Sequence, residues 1–215
     1  MNRTKLNRTH LHRFAGETLF DRVARAVCEA ECLPKKELYE SWEVARRVRR
    51  RFRGGRVLDL ACGHGLVAWL MLVLDDTSKE AVAVDVRIPD SAAKIARTLT
   101  ATWPRLEGRI TLREGAVDQA EATKDDVIVS AHACGALTDR VLDVAIRARA
   151  RVAVLPCCHD EATCDAGGLD GWMDAALAVD ATRAARLRGE GYRVHTQLIP
   201  RNVTPKNRLL CASPH

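Results

Sequence analysis

Arg56-Val57-Leu58-Asp59-Leu60-Ala61-Cys62-Gly63-His64-Gly65 decides the fold of this chain, because it reads as a short buried strand running into a glycine turn and then a helix. Val57, Leu58 and Leu60 supply the continuous apolar run of a strand covered on both faces. Gly63 and Gly65 permit a tight turn and a close approach of backbone to a ligand. Leu66 to Leu72 then opens a helix whose first N–H groups face whatever lies over the turn. Such a stretch is a ligand cradle.

Two cofactor classes use a strand-turn-helix of this kind, since Gly63-x-Gly65-x-x-Ala68 also satisfies the relaxed dinucleotide fingerprint. Asp59 separates them. A carboxylate at the strand end repels a pyrophosphate and suits the ammonium group of S-adenosylmethionine. The pattern Asp59-Leu60-x-Cys62-Gly63-x-Gly65 resembles the first motif of class I S-adenosylmethionine-dependent methyltransferases. Ala81-Val82-Ala83-Val84-Asp85 follows as a second apolar strand ending in an acid, where ribose hydroxyls are usually held. The resemblance implies S-adenosylmethionine as cofactor and a site built from Asp59, Ala61, Cys62, Gly63, Gly65 and Asp85. It also implies an adenine-holding acid after the third strand, for which Asp118 is the candidate.

The resemblance sharpens at two later strand ends. His132-x-Cys134-Gly135 and Cys157-Cys158-His159 are similar to the motifs of the tRNA acceptor-stem ribose methyltransferases and related methyltransferase-like proteins. It implies that His132, Cys134, Cys157, Cys158 and His159 lie near the transferred methyl, with His132 also touching the cofactor. Methyl transfer to oxygen or nitrogen needs an in-line approach and a proton acceptor. Either His132 or His159 suits that role, with a bond from His132 to the strand-end backbone the alternative. The cysteines suit packing or cofactor contact. Two other chemistries use the same residues. Cys134 and Cys157 have the look of the paired cysteines that methylate cytosine carbon 5 by covalent attack. Cys157, Cys158, His159, Cys164 and His132 are zinc-ligand types, but their adjacency and lack of paired spacing argue against a metal, so none is expected. The zinc-finger elements that accompany the tRNA enzymes have no counterpart in the first 55 residues.

The 215 residues suit one domain with a full core. No apolar run approaches the roughly 20 residues of a membrane span, and the basic, histidine-bearing start lacks the apolar core of a secretion signal. A cytoplasmic protein is expected. The eight cysteines fall largely inside predicted elements rather than in a disulfide pattern. Charge is uneven: residues 1–56 hold 15 lysines and arginines against 7 acids, and the remainder 19 against 21. That asymmetry points to a polyanion, with RNA the expected partner through basic N-terminal helices and plain solvation the alternative. A protein or small-molecule acceptor, or a binding module without catalysis, remains the competing function class.

Residues 1–16 read as a flexible basic arm, including Arg3, Lys5 and Arg8, and helices are predicted over about 17–32 and 35–52. The second carries Arg46, Arg47, Arg49, Arg50 and Arg51 toward its end, followed by Arg53. Gly54-Gly55 marks the border between a helical extension (1–55) and the catalytic core (56–215). Strands are predicted at 109–113, 126–131, 151–156, 194–199 and 208–212, and helices over about 89–103, 137–148 and 172–188. Together these give a doubly wound, Rossmann-like α/β fold: a seven-stranded, mostly parallel sheet with an antiparallel last strand. The sixth strand is expected to lie parallel beside its neighbours. The linker 200–207 after it then presents Arg201, Lys206 and Asn207 at the rim of the site as substrate contacts.

Overall fold

The apolar runs pair into one sheet. In this computed structural model, which describes residues 5–160 and 162–215, the strands are β1 (Val57–Leu60), β2 (Ala81–Asp85), β3 (Ile110–Glu114), β4 (Val127–Ser130), β5 (Arg151–Val154), β6 (Tyr192–Leu198) and β7 (Arg208–Pro214). Their order is β3-β2-β1-β4-β5-β7-β6. The first five are parallel, with Val57 opposite Ala81 on one side and Val127 on the other. β7 runs antiparallel to both β5 and β6. This corrects one expectation: β6 keeps the direction of the parallel strands but touches none of them, because β7 inserts between it and β5. This is a Rossmann-like, doubly wound sheet, and strand order reverses between β1 and β4, where an open α/β sheet leaves its ligand crevice.

Period-two alternation sorts the side chains onto two helical layers. Val57, Ala81, Ala83, Val127, Val129 and Ala153 face α1 (Leu19–Ala30), α2 (Lys35–Arg51), α3 (Leu66–Leu74) and α4 (Ala92–Thr102). Leu58, Leu60, Val84, Ile128, Val152 and Val154 face α5 (Leu137–Ala148) and α6 (Ala175–Gly189). α3 is apolar all round because it is walled in on both sides, by the sheet and by α2.

The N-terminal segment differs from the flexible arm expected. Arg8–Phe14 forms a 3-10 helix capped by Asn7, and Leu6 and Phe14 are buried. Phe14 stacks edge-on against Phe20, which in turn meets Tyr39 and Trp42. Arg3, part of the expected basic arm, lies outside the described residues. Residues 172–174 are turn rather than helix, and Asp174 caps α6 by accepting from the Leu177 N–H at 3.1 Å. Among the described residues no helix is long and apolar enough to cross a membrane.

The arginine run of α2 is partly internal. Arg49 is 2% exposed; it donates to the carbonyls of Met71 and Phe52 and to Ser78, and it pairs with buried Asp75 at 3.3 Å. Arg46 and Arg47 both pair with Glu43. The exposed remainder, Arg50, Arg51 and Arg53, sits at the end of α2 that meets the starts of the strands. About 25 Å of helix separates that end from the first turn of α2.

Candidate active site

The turn after β1 is left-handed at three alternate positions, with φ of 56° at Ala61, 54° at Gly63 and 72° at Gly65. A Cβ at Gly65 would meet the Leu112 side chain at 2.9 Å, so that glycine is a packing requirement. At Gly63 the same atom would find only a Glu37 oxygen, at 4.0 Å, so the outer face of the turn opens onto free space bounded by α2. Ala61 tolerates a conformation that costs an L-residue about 1–2 kcal/mol.

Asp85, half-buried at the end of β2, accepts the Gly63 N–H at 2.8 Å. A carboxylate at this point clamps the turn, and its other oxygen accepts the Arg87 N–H at 3.4 Å with lone pairs to spare. Asp59 behaves differently from the sequence expectation. Strand alternation puts it on the face of Val57, toward α3, where it is 1% exposed and accepts the Ala68 N–H at 3.0 Å. Burial pushes its carboxyl up to about 8; the Ala68 hydrogen bond opposes this and nearby Asp85 adds to it. Burial thus weakens the negative charge on which the expected exclusion of pyrophosphate rests. Asp59 shapes the turn from beneath and takes one of the first-turn N–H groups of α3 for itself. Cys62 is buried within the turn.

The ends of β4 and β5 lie side by side, as expected, and bring His132, Cys134, Cys157 and Cys158 together. Cys134 Sγ lies 2.9 Å from Cys157 Sγ, which lies 3.8 Å from Cys158 Sγ. Burial, the largest influence, raises both the Cys134 and Cys157 thiols, so both are protonated near neutrality. With Pro34, Lys36, Glu37 and Glu40 of the α2 start, these four residues line a cleft of about 270 Å³. His132 Nε2 is buried and has no hydrogen-bond partner. A second hollow, of about 410 Å³, lies on the other side of Cys134 and Cys158 and includes Arg140 and Asp160.

His159 does not join this group. Its Nε2 lies 2.8 Å from Asp180 of α6, which also takes Arg208 at 2.6 Å. Arg183, 2% exposed, grips Asp139 with two hydrogen bonds and donates to the Gly135 carbonyl at 2.9 Å. His159 is thus part of a polar network that fastens α6 beneath the cysteine loops. Asp118 is exposed, in a 3-10 turn, with its carboxylate 3.5 Å from Arg140. Asn207 is buried rather than presented at the rim, because its side chain donates to the Ile199 carbonyl at 2.7 Å and closes the linker on itself. Arg201 and Lys206 are exposed. The linker lies against the start of α2, where Asn202 and Val203 meet Lys35, Lys36 and Tyr39.

Sequence reasoning missed Glu37, Glu40 and Lys36. They lie outside any motif and reach the site only because α2 packs antiparallel to the strands along α3. It also missed His64, whose Nε2 lies 2.9 Å from Ser91 Oγ and whose Nδ1 lies 3.8 Å from Glu37.

A glycine turn clamped by a strand-end acid, at the reversal point of a sheet with β7 inserted antiparallel, defines a methyltransferase of class I. The chain belongs to the methyltransferase-domain family, whose model matches residues 36–165. None of the curated protein sequences matches it significantly. Solved structures share the fold at low identity. The tRNA methyltransferase TrmK of B. subtilis aligns at 16% identity with a TM-score of 0.54, over 80% of this chain and 65% of that one. The mitomycin 7-O-methyltransferase MmcR aligns at 18% and 0.52, over 96% and 60%. An rRNA-methylase-like protein of Clostridium thermocellum aligns at 14% and 0.51, over 79% and 92%. The chain thus spans 65% and 60% of the length of the first two.

Proposed function

We propose that this protein transfers a methyl group from S-adenosylmethionine to an RNA acceptor, with a tRNA-like molecule the foremost substrate. The observation that carries the reading is the Gly63–Asp85 clamp, whose open face looks toward Glu37, a residue that also lines the cleft at His132. S-adenosylmethionine supplies an electrophilic methyl on its sulfonium. Asp85 and the open face of Gly63 suit the nucleoside, and the ends of β4 and β5 form the floor on which the acceptor meets the methyl. His132 Nε2, buried and unpartnered, is suited to take the acceptor's proton, whereas His159 is already engaged by Asp180. Support for RNA comes from exposed cations on the elements near the opening, namely Lys35 of α2 and Arg201 and Lys206 of the linker, whereas Lys36 and Arg140 each have a carboxylate beside them, Glu40 and Asp118. Lys35, Arg201 and Lys206 replace the arginine run as the foremost phosphate contacts, because that run lies at the far end of α2 and is partly paired.

Calorimetry with S-adenosylmethionine, its demethylated product and NAD tests the cofactor, and failure of both sulfur compounds with binding of NAD sinks the reading. Labelled methyl transfer to total RNA, total protein and metabolite extracts tests the acceptor. A small hydroxylated molecule is the second reading, favoured by the modest volume of the cleft.

A further inference from the structure

Of the eight cysteines, Cys28, Cys32, Cys62, Cys164 and Cys211 are buried, and the three with access to solvent, Cys134, Cys157 and Cys158, are the three that converge. Their sulfurs all lie within 4.8 Å of one another. Isolated buried thiols are explained as small hydrophobes, but accessible thiols gain little from packing and are open to oxidation. The three are also held in place from below. The Gly135 N–H donates to the Cys158 carbonyl at 3.1 Å, and Arg183 holds the Gly135 carbonyl.

The spacing suits a tetrahedral soft cation. Zn–S bonds of about 2.3 Å separate two sulfurs by about 3.8 Å. Cys157 and Cys158 already stand 3.8 Å apart, and Cys134 need only draw back from its 2.9 Å contact with Cys157. Glu37 and Glu40 line the same cleft, while Lys36 is neutralised by Glu40 at 3.1 Å. His132 lines it too, with a ring nitrogen that has no partner.

We propose that Cys134, Cys157 and Cys158 bind a thiophilic d10 cation, Zn2+ or Cu+, with three sulfur ligands and, for Zn2+, a solvent molecule in the fourth position. On binding, each coordinating thiol gives its proton to solvent and a sulfur lone pair to the metal, with no change in oxidation state. The metal closes the gap between the two strand-end loops and sits at the cleft floor. The sequence hid this site because adjacent cysteines lack paired ligand spacing; the parallel pairing of β4 and β5 supplies the third sulfur from 23 residues away.

The inference stands apart from methyl transfer, and the metal itself reads it out. Full-length protein, reduced with a phosphine under anaerobic conditions, is titrated with Co2+, then Zn2+, and separately with Cu+ against a copper(I) chelator. One equivalent of Co2+ giving a sulfur-to-cobalt charge-transfer band, displaced by Zn2+ with proton release, supports a zinc site. Retention of one Cu+ against the chelator without Zn2+ binding supports a copper site. Both signals are expected to vanish in Cys134→Ser with Cys157→Ser, checked for folding by circular dichroism, and to persist in Cys164→Ser. Failure to hold either ion at one equivalent, or binding that survives the double substitution, overturns the proposal. Calorimetry with S-adenosylmethionine on the same metal-free protein keeps this failure distinct from failure of the methyltransferase reading.

Discussion

The backbone N–H of Gly135 donates to the carbonyl of Cys158 at 3.1 Å, and this single bond ties together the two cysteine-bearing loops that follow β4 and β5. Gly135 holds φ at +57°, a conformation that an alanine adopts at a cost of about 1–2 kcal/mol. Space is not limiting, since a Cβ there would meet Asp160 and Thr163 at ordinary contact distance. Gly135→Ala is therefore expected to lower stability by about 1–2 kcal/mol in urea denaturation. It should also reduce bridging of Cys134 and Cys157 by a bifunctional thiol reagent. Undiminished bridging would show that the loops hold their spacing without this glycine.

Asp59 gives a pH dependence with a definite sign. Its folded carboxyl, raised to about 8, stands above an unfolded value of about 3.9. Between those values the folded state keeps a proton that the unfolded state releases. The group's contribution is thus most favourable below pH about 4 and is lost as pH rises through about 8. The slope is at most about 1.4 kcal/mol per pH unit. Asp59→Asn keeps an acceptor for the Ala68 N–H and removes the titration. It should unfold later than the parent at pH 8, with the gap closing toward pH 4; parallel profiles would refute the burial argument.

Arg49 and Arg50 are neighbours with opposite expected behaviour. Removing Arg49 leaves Asp75 buried beside an empty guanidinium site, a loss of about 3–5 kcal/mol. Arg50 is exposed, and its replacement by alanine should change stability by no more than about 0.5 kcal/mol. Chemical denaturation of the two variants side by side measures the difference.

The parts of the fold that rest on local chemistry were legible in the sequence. The run from Val57 to Gly65 and the acid at Asp85 fixed the cradle, and the apolar runs at 127–130 and 151–154 placed His132, Cys134, Cys157 and Cys158 on adjacent strand ends. The burial of Asp59 follows from its alternation with Val57, which sets both residues on the layer of α3. His159 and Asn207 could not be assigned from the letters alone. Their partners, Asp180 and the Ile199 carbonyl, are brought to them by the docking of α6 and by the fold of the linker. The order of β6 and β7 was legible in part, since β6 alternates polar and apolar residues as an edge strand does, whereas Leu209 to Ala212 of β7 is the continuous apolar run of an inside strand.

The linker after β6 separates recognition from structure in one short segment. Arg201 and Lys206 are exposed in a linker whose Asn202 and Val203 line a hollow with the start of α2, while Asn207 is buried and bonded to Ile199. Arg201→Ala with Lys206→Ala is expected to leave S-adenosylmethionine affinity unchanged in calorimetry while lowering methyl transfer at limiting substrate. The loss should shrink as salt is added, because phosphate contacts made by these cations are screened and release counterions. Asn207→Ala should instead cost about 1–3 kcal/mol of stability by leaving the Ile199 carbonyl without its partner. Turnover unchanged in the double variant at low salt would remove the linker from substrate recognition and leave Lys35, at the start of α2, as the remaining exposed cation beside it.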